Sequence, residues 1–297
     1  MDIKQCAFVS VTLPCMAPLS RSLLLVAAAS MFTRLMLQPI TAALSLASRY
    51  ELSSPMTSSS RLIEGVHLMS HEQDPYATDL VHFPPWLLLL SRVIGRVALP
   101  TMPQIGLLIL YACADAAVVV SVGFIHHALR ATPLPLLTAI KMCFNPLAIL
   151  SCLALSSSSL YHAILFGSVA LASAAQVPMM PALFLLAAAS SMDFRAATIL
   201  PVLLATRSRV TDSYANASCR AQVCRGILYA SGFLLCYCVI LATDVVILAA
   251  PAAASHASLV ARMQAGALAI WQAVPMFDLQ VRELVPSIGT AWYMMME

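Results

Sequence analysis

Charge is what this sequence has least of. Only 10% of its 297 residues are Asp, Glu, Lys or Arg, whereas a soluble globular chain carries roughly 25%. With 61% hydrophobic residues and a mean hydropathy of +0.87, no water-soluble domain has enough interior to hide the apolar surface. The net charge of +3 is scattered, and without a clustered Lys/Arg face a nucleic-acid partner is excluded. Metal signatures are missing too. His67 and His71 flank Leu68, Met69 and Ser70 with no Glu in the HExxH position. Cys219 and Cys224 form a C-x4-C without the second ligand pair of a zinc site. Most of the nine cysteines, among them Cys113, Cys143, Cys152, Cys236 and Cys238, lie in apolar runs and pack as small hydrophobes. There is no P-loop or dinucleotide fingerprint, and the serine runs at Ser58 and Ser156 to Ser159 have no nearby base or elbow context. The expectation is therefore no catalytic residue, no metal and no cofactor.

What the sequence does have is long apolar runs. One bilayer crossing needs about 20 mostly apolar residues, which provides for roughly six to eight spans. The first runs from about Leu23 to Ala47, interrupted by Arg34, Gln38 and Pro39; it is too long for a cleaved signal peptide and reads as a retained signal-anchor. Lys4 and Arg21 precede it, so the positive-inside rule puts residues 1–22 in the cytosol as an extension and the next connection in the lumen. That connection, about Ser48 to Phe83, is the longest polar stretch. Within it Thr57 or Ser58 caps a short interfacial helix that stops near Gly65. The run from Pro84 to Leu99 is short and carries Arg92 and Arg96, as in an interfacial or re-entrant segment with Trp86 at headgroup level.

Further spans are expected over Gln104 to His127, Leu134 to Leu155, Leu160 to Gln176, Ala182 to Ala189 with a continuation through Ala196 to Ala205, Ile227 to Ala249, and Ala252 to Trp271. Between them Thr206 to Arg225 forms a basic, cytosolic island. Its Asn216-Ala-Ser218 sequon would there escape glycosylation. Residues 23–297 form a single transmembrane domain on this reading, an all-α polytopic bundle.

Ionisable groups inside a bilayer are costly and mark function by default. Arg34, Asp115, Lys141 and Asp244 qualify. Three readings are open: Arg34 or Lys141 pairs with Asp115 to hold the bundle together, the groups line a polar cavity for a lipid headgroup, or they form an ion path. Asn145-Pro146 sits inside a span, where proline frees a backbone carbonyl, and such breaks are tolerated where protein or a cavity covers them.

Four stretches, in order, resemble the U subunit family of the GPI transamidase. They are Arg49-Tyr-Glu-Leu-Ser-Ser-Pro-Met-Thr-Ser-Ser-Ser-Arg-Leu-Ile-Glu-Gly65, continuing through Asp74-Pro75-Tyr76 and His82 to Pro85; Asp115-Ala-Ala; Phe144-Asn-Pro-Leu-Ala-Ile-Leu-Ser-Cys152; and Glu283-Leu-Val-Pro-Ser-Ile-Gly-Thr-Ala-Trp-Tyr-Met-Met-Met-Glu297. Ser287 and Glu283 depart from the family's usual Asn and Asp, and the resemblance implies further spans beyond Glu297. It also implies a noncatalytic subunit of an endoplasmic-reticulum complex, whose partners are the other transamidase subunits and the GPI glycolipid. On that resemblance Asp115, Asn145, Ser151, Trp292 and Tyr293 are the candidate lipid contacts.

The same layout, with a lumenal first loop, is similar to the GT-C-like scaffold of the multi-span glycosyltransferases. The alternative is a dolichyl-phosphate-mannose-dependent mannosyltransferase. Such an enzyme needs a loop carboxylate as base or acceptor ligand, and the acidic pair is replaced here by Glu51-Leu-Ser-Ser-Pro-Met-Thr-Ser.

Overall fold

A computed structural model of the chain describes residues 18–44, 46, 52, 57–77, 81–98, 103–129, 135–210 and 219–249, with isolated positions between 264 and 270. Every regular element among them is helical. The α-helices are α1 (Pro18–Leu44), α2 (Ser59–Ser70), α3 (Pro85–Ala98), α4 (Pro103–Ala128), α5 (Pro135–Cys143), α6 (Pro146–Leu153), α7 (Ser158–Ser173), α8 (Met179–Met192), α9 (Leu200–Val210) and α10 (Cys219–Ala249). An all-α bundle of a multi-span membrane protein is what the apolar runs demanded. With no water in the hydrocarbon, each segment must close its own backbone hydrogen bonds.

Among the described residues three helices, α1, α4 and α10, are long and apolar enough to cross a membrane, and the bent pair α5 and α6 makes a fourth if counted as one span. Other apolar runs expected to span are cut short where they are described. At 16 and 14 residues, α7 and α8 rise only about 24 and 21 Å. The expected continuation from Ala182 through Ala205 is broken where Asp193 accepts a hydrogen bond from the Arg195 amide and starts a 3-10 turn, Phe194–Ile199, before α9. In the other direction α10 begins eight residues before Ile227, because the Cys219-Arg-Ala-Gln-Val-Cys-Arg-Gly segment contains good helix formers. The expected span Ala252 to Trp271 lies almost wholly outside the described residues, as do the sequon and the acidic-loop residues Glu51 and Asp79.

Contacts set the helix directions. Leu23 meets Gly123 and Arg34 meets Asp115, so α1 and α4 run antiparallel. Gly232 of α10 receives Met180 and Leu183 of α8, and further along both helices reach Trp86 through Ser191 and Asp244, so α8 and α10 run parallel. Packing then proceeds from α1 through α4, α7 and α8 to α10, with α5 and α6 against α1 and α4.

The loop helix α2 differs from expectation at its end. Ser58 is its N-cap residue, but the helix passes through Gly65 and closes at His71. Glycine is present there for closeness rather than as a stop. A Cβ at Gly65 would lie 2.9 Å from Leu88 Cδ2 and 3.0 Å from Val81 Cγ1, so only a bare backbone lets α2 settle on α3. Leu62, Gly65 and Met69 form the buried face, packed in one core with Leu87, Leu88, Leu107 and Tyr111.

A buried ion pair beside a broken helix

The break at Asn145-Pro146 is built by a swap of hydrogen bonds. In an unbroken helix the Leu147 amide would bond the Cys143 carbonyl four residues back. Here Asn145, in extended conformation, caps α6 and takes the Leu147 amide on its side-chain oxygen at 2.9 Å. Proline at the first helical position has no amide to lose. The two half-helices meet at a 46° bend, and the Cys143 carbonyl is left to find another donor.

Arg34 supplies it. The guanidinium, 1% exposed, donates from Nη1 to the Cys143 carbonyl at 3.3 Å and to the Ser30 carbonyl at 3.1 Å, and also to the Ser30 hydroxyl. Its Nε donates to Asp115 Oδ2 at 2.7 Å. Of the two cations that the sequence offered to Asp115, then, Arg34 is the partner. Lys141 is exposed on the other side of α5.

Around the pair stand the Ser159 hydroxyl and the Cys152 thiol, each facing the Asp115 carboxyl, with His162 within electrostatic reach. Five elements, α1, α4, α5, α6 and α7, thus meet at one buried charge pair. From Ser159 the polar seam continues to the loop, where the Ser157 amide bonds the Thr57 carbonyl at 3.0 Å.

Asp115 and Asn145 therefore belong to one neighbourhood, Asp115 holding the arginine and Asn145 creating the carbonyl that the arginine binds. Ser151 is half-buried, and it is the next residue, Cys152, fully buried, that faces the pair. Trp292 and Tyr293 lie outside the described residues. Sequence reasoning passed over Ser30, Cys152 and Ser159, reading the cysteine as packing, Ser159 as part of a non-catalytic run, and Ser30 not at all. The only available signal was the four-residue spacing of Ser30 and Arg34, which puts both on one face of α1.

Asp244 sits in a second buried arrangement. Its Oδ1 accepts the Trp86 amide at 2.8 Å, capping α3 from a different helix, and Oδ2 has no hydrogen-bond partner among the described residues. Pro84 and Pro85 lack amides, so Trp86 is the first donor α3 presents, and a carboxylate suits a helix N-terminus. The Trp86 indole donates to Ser191 at 2.9 Å. Trp86, expected at headgroup level, ties α3 to α8 and α10. In the loop above, Tyr76 donates to the Phe83 carbonyl. Burial pushes its phenol well above the ordinary value, and the Asp244 and Asp74 carboxylates push the same way.

Apolar helices around an interior ion pair, one of them broken at an Asn-Pro step, define a polytopic membrane protein whose polar chemistry is internal. The family model for the GPI transamidase subunit PIG-U matches residues 25–297, nearly the whole chain, and the chain belongs to that family. No individual curated protein matches it. The chain is thus a member of a family of subunits of the GPI transamidase complex.

Proposed function

We propose that this chain is a noncatalytic subunit that recognises the GPI glycolipid in the endoplasmic-reticulum membrane and presents it to a catalytic subunit elsewhere in the complex. One observation carries the reading: three separated stretches that resemble the family, around Thr57, at Asp115 and at Phe144 to Cys152, converge on the Arg34–Asp115 pair and the broken helix. The arrangement suits holding rather than reacting. Asp115 is committed to Arg34 and Ser159, and Asn145 to the α6 cap, so these two act as supports that fix the bend against which a lipid lies. Ser151, Trp292 and Tyr293 remain the proposed direct lipid contacts.

Co-purification from native membranes tests the assembly. Other transamidase components should accompany the chain, and recovery of the chain without any of them would overturn the proposal. Lipid recognition is read separately, by photo-crosslinking a diazirine-bearing GPI analogue to the complex. Labelled peptides should fall in α6 and the segment containing Trp292, and labelling spread evenly over all lipid-facing helices would contradict it.

A further inference from the structure

We infer that the outer face of α3 holds a phospholipid, with the lipid's phosphodiester on the Arg92 guanidinium and its acyl chains along Leu89 and Val93.

The position of α3 comes first. Its 14 residues rise only about 21 Å, too short for a crossing. Trp86 in its first turn bonds Ser191 and Asp244, close to where α8 ends at Met192 and α10 ends at Ala249. Leu87 and Leu88 share a core with Leu107 and Leu108 in the opening turns of α4 and with Leu153 at the close of α6. At its other end only four residues separate Ala98 from Pro103, where α4 begins. Both ends of α3 therefore stand at one end of the bundle, beside the polar connection that carries α2. Arg92 is six residues from Trp86 and six from Ala98, about 9 Å along the axis from either. A long, flexible arginine stem reaches the headgroup layer from there.

Charge comes next. Among the described residues Arg92, which is half-buried, makes neither a hydrogen bond nor an ion pair, and its Nε is covered with no partner. A guanidinium is always charged, so covering part of it unpaired loses hydration that only a strong acceptor replaces. Arg34 and Arg207 show the usual outcome: the first is held by Asp115, Ser30 and the Cys143 carbonyl, the second by the Ala174 and Ala175 carbonyls.

The neighbours of Arg92 select the occupant. Leu89, Arg92 and Val93 follow one another at helical spacing, with Leu89 38% and Val93 50% exposed, while Leu87, Leu88 and Ser91 are buried on the opposite face. A cation between exposed apolar side chains at the membrane surface matches an amphiphile. A phosphodiester offers the planar guanidinium two acceptor oxygens at once, and its attached chains continue over Leu89 and Val93. A soluble phosphate would leave those two side chains uncovered. A carboxylate from another chain would have to displace lipid phosphates that already fill this layer.

The test places the full chain, with whatever components accompany it, in lipid nanodiscs containing one of two probes. Both carry the same diazirine-bearing acyl chains; one is a phosphatidylglycerol and the other a diacylglycerol, which has no phosphate. The phosphatidylglycerol probe should label the α3 peptide about tenfold more strongly than the diacylglycerol. Arg92→Gln should bring its labelling down to the diacylglycerol level, Arg92→Lys should keep most of it, and inorganic phosphate should not compete. Equal labelling by the two probes, labelling unchanged in Arg92→Gln, or displacement by inorganic phosphate would overturn the lipid site. So would a photo-crosslinking residue at Val93 that captures protein in place of lipid. Should Arg92→Gln fail to accumulate, the comparison of the two probes on the wild-type chain decides.

Discussion

Replacing Asp115 by Leu leaves Arg34 buried among neutral acceptors, and this gives the sharpest check on the geometry. The guanidinium would keep the Ser30 carbonyl and hydroxyl and the Cys143 carbonyl, but would lose its one bonded anion. Removing one member of a buried pair costs about 3–5 kcal/mol because the other charge is stranded. Three remaining acceptors place this case near the lower end, about 3 kcal/mol. Replacing both groups, Arg34→Met with Asp115→Leu, removes the stranded charge and leaves chiefly the Cys143 carbonyl without a donor, a loss of about 1 kcal/mol. Reversible unfolding of the four proteins of this cycle in bicelles measures the coupling directly. The double variant should be more stable than the Asp115→Leu single variant by about 2 kcal/mol. A double variant as unstable as the two single effects added together would refute the claim that this pair is energetically one unit.

Other consequences follow from the neighbouring contacts. At Gly65 a side chain must displace Leu88 and Val81, so Gly65→Val should cost about 1–3 kcal/mol by overpacking and raise hydrogen exchange throughout α2. Asp244→Asn keeps an acceptor for the Trp86 amide and should be close to wild type, whereas Asp244→Ala orphans that amide and should cost about 1–3 kcal/mol in the same unfolding assay. The Tyr76 phenol is raised above its unfolded value of about 10. The fold therefore favours the neutral form: its contribution is complete below pH ~10 and is lost as pH rises further. Limited proteolysis of the 57–77 segment should accelerate above pH ~10 in the wild type, and Tyr76→Phe should remove that acceleration.

Much of this architecture is legible in the residues because membrane helices obey a simple constraint. Arg34 and Asp115 stand out in apolar runs, and the Asn145-Pro146 step announces a break whose cap the structure contains. Thr57 or Ser58 reads as the start of α2 because a position before a helical segment is local information, and Ser58 is the residue found there. Gly65 misleads for the same reason. Local propensity reads glycine as a stop, and only the approach of Leu88 explains why it is tolerated mid-helix.

Which cation pairs with Asp115 is likewise undecidable from spacing. Lys141 and Arg34 both lie mid-run, and the choice depends on which face of α5 turns toward α1 and α4. The partners of Trp86, Ser191 and Asp244, are 105 and 158 residues away. Such long-range polar ties leave no periodic trace, so the site was visible as a set of unusual residues and not as an arrangement.

The central claim, that the chain serves lipid presentation in the transamidase and adds no sugar itself, is tested most directly by depleting it and analysing the glycolipids and the unprocessed substrate proteins of the same membranes. The account predicts that GPI with a complete glycan accumulates beside uncleaved precursor proteins. Accumulation of glycolipids lacking a mannose, with complete GPI absent, would contradict it and point to a mannosyltransferase.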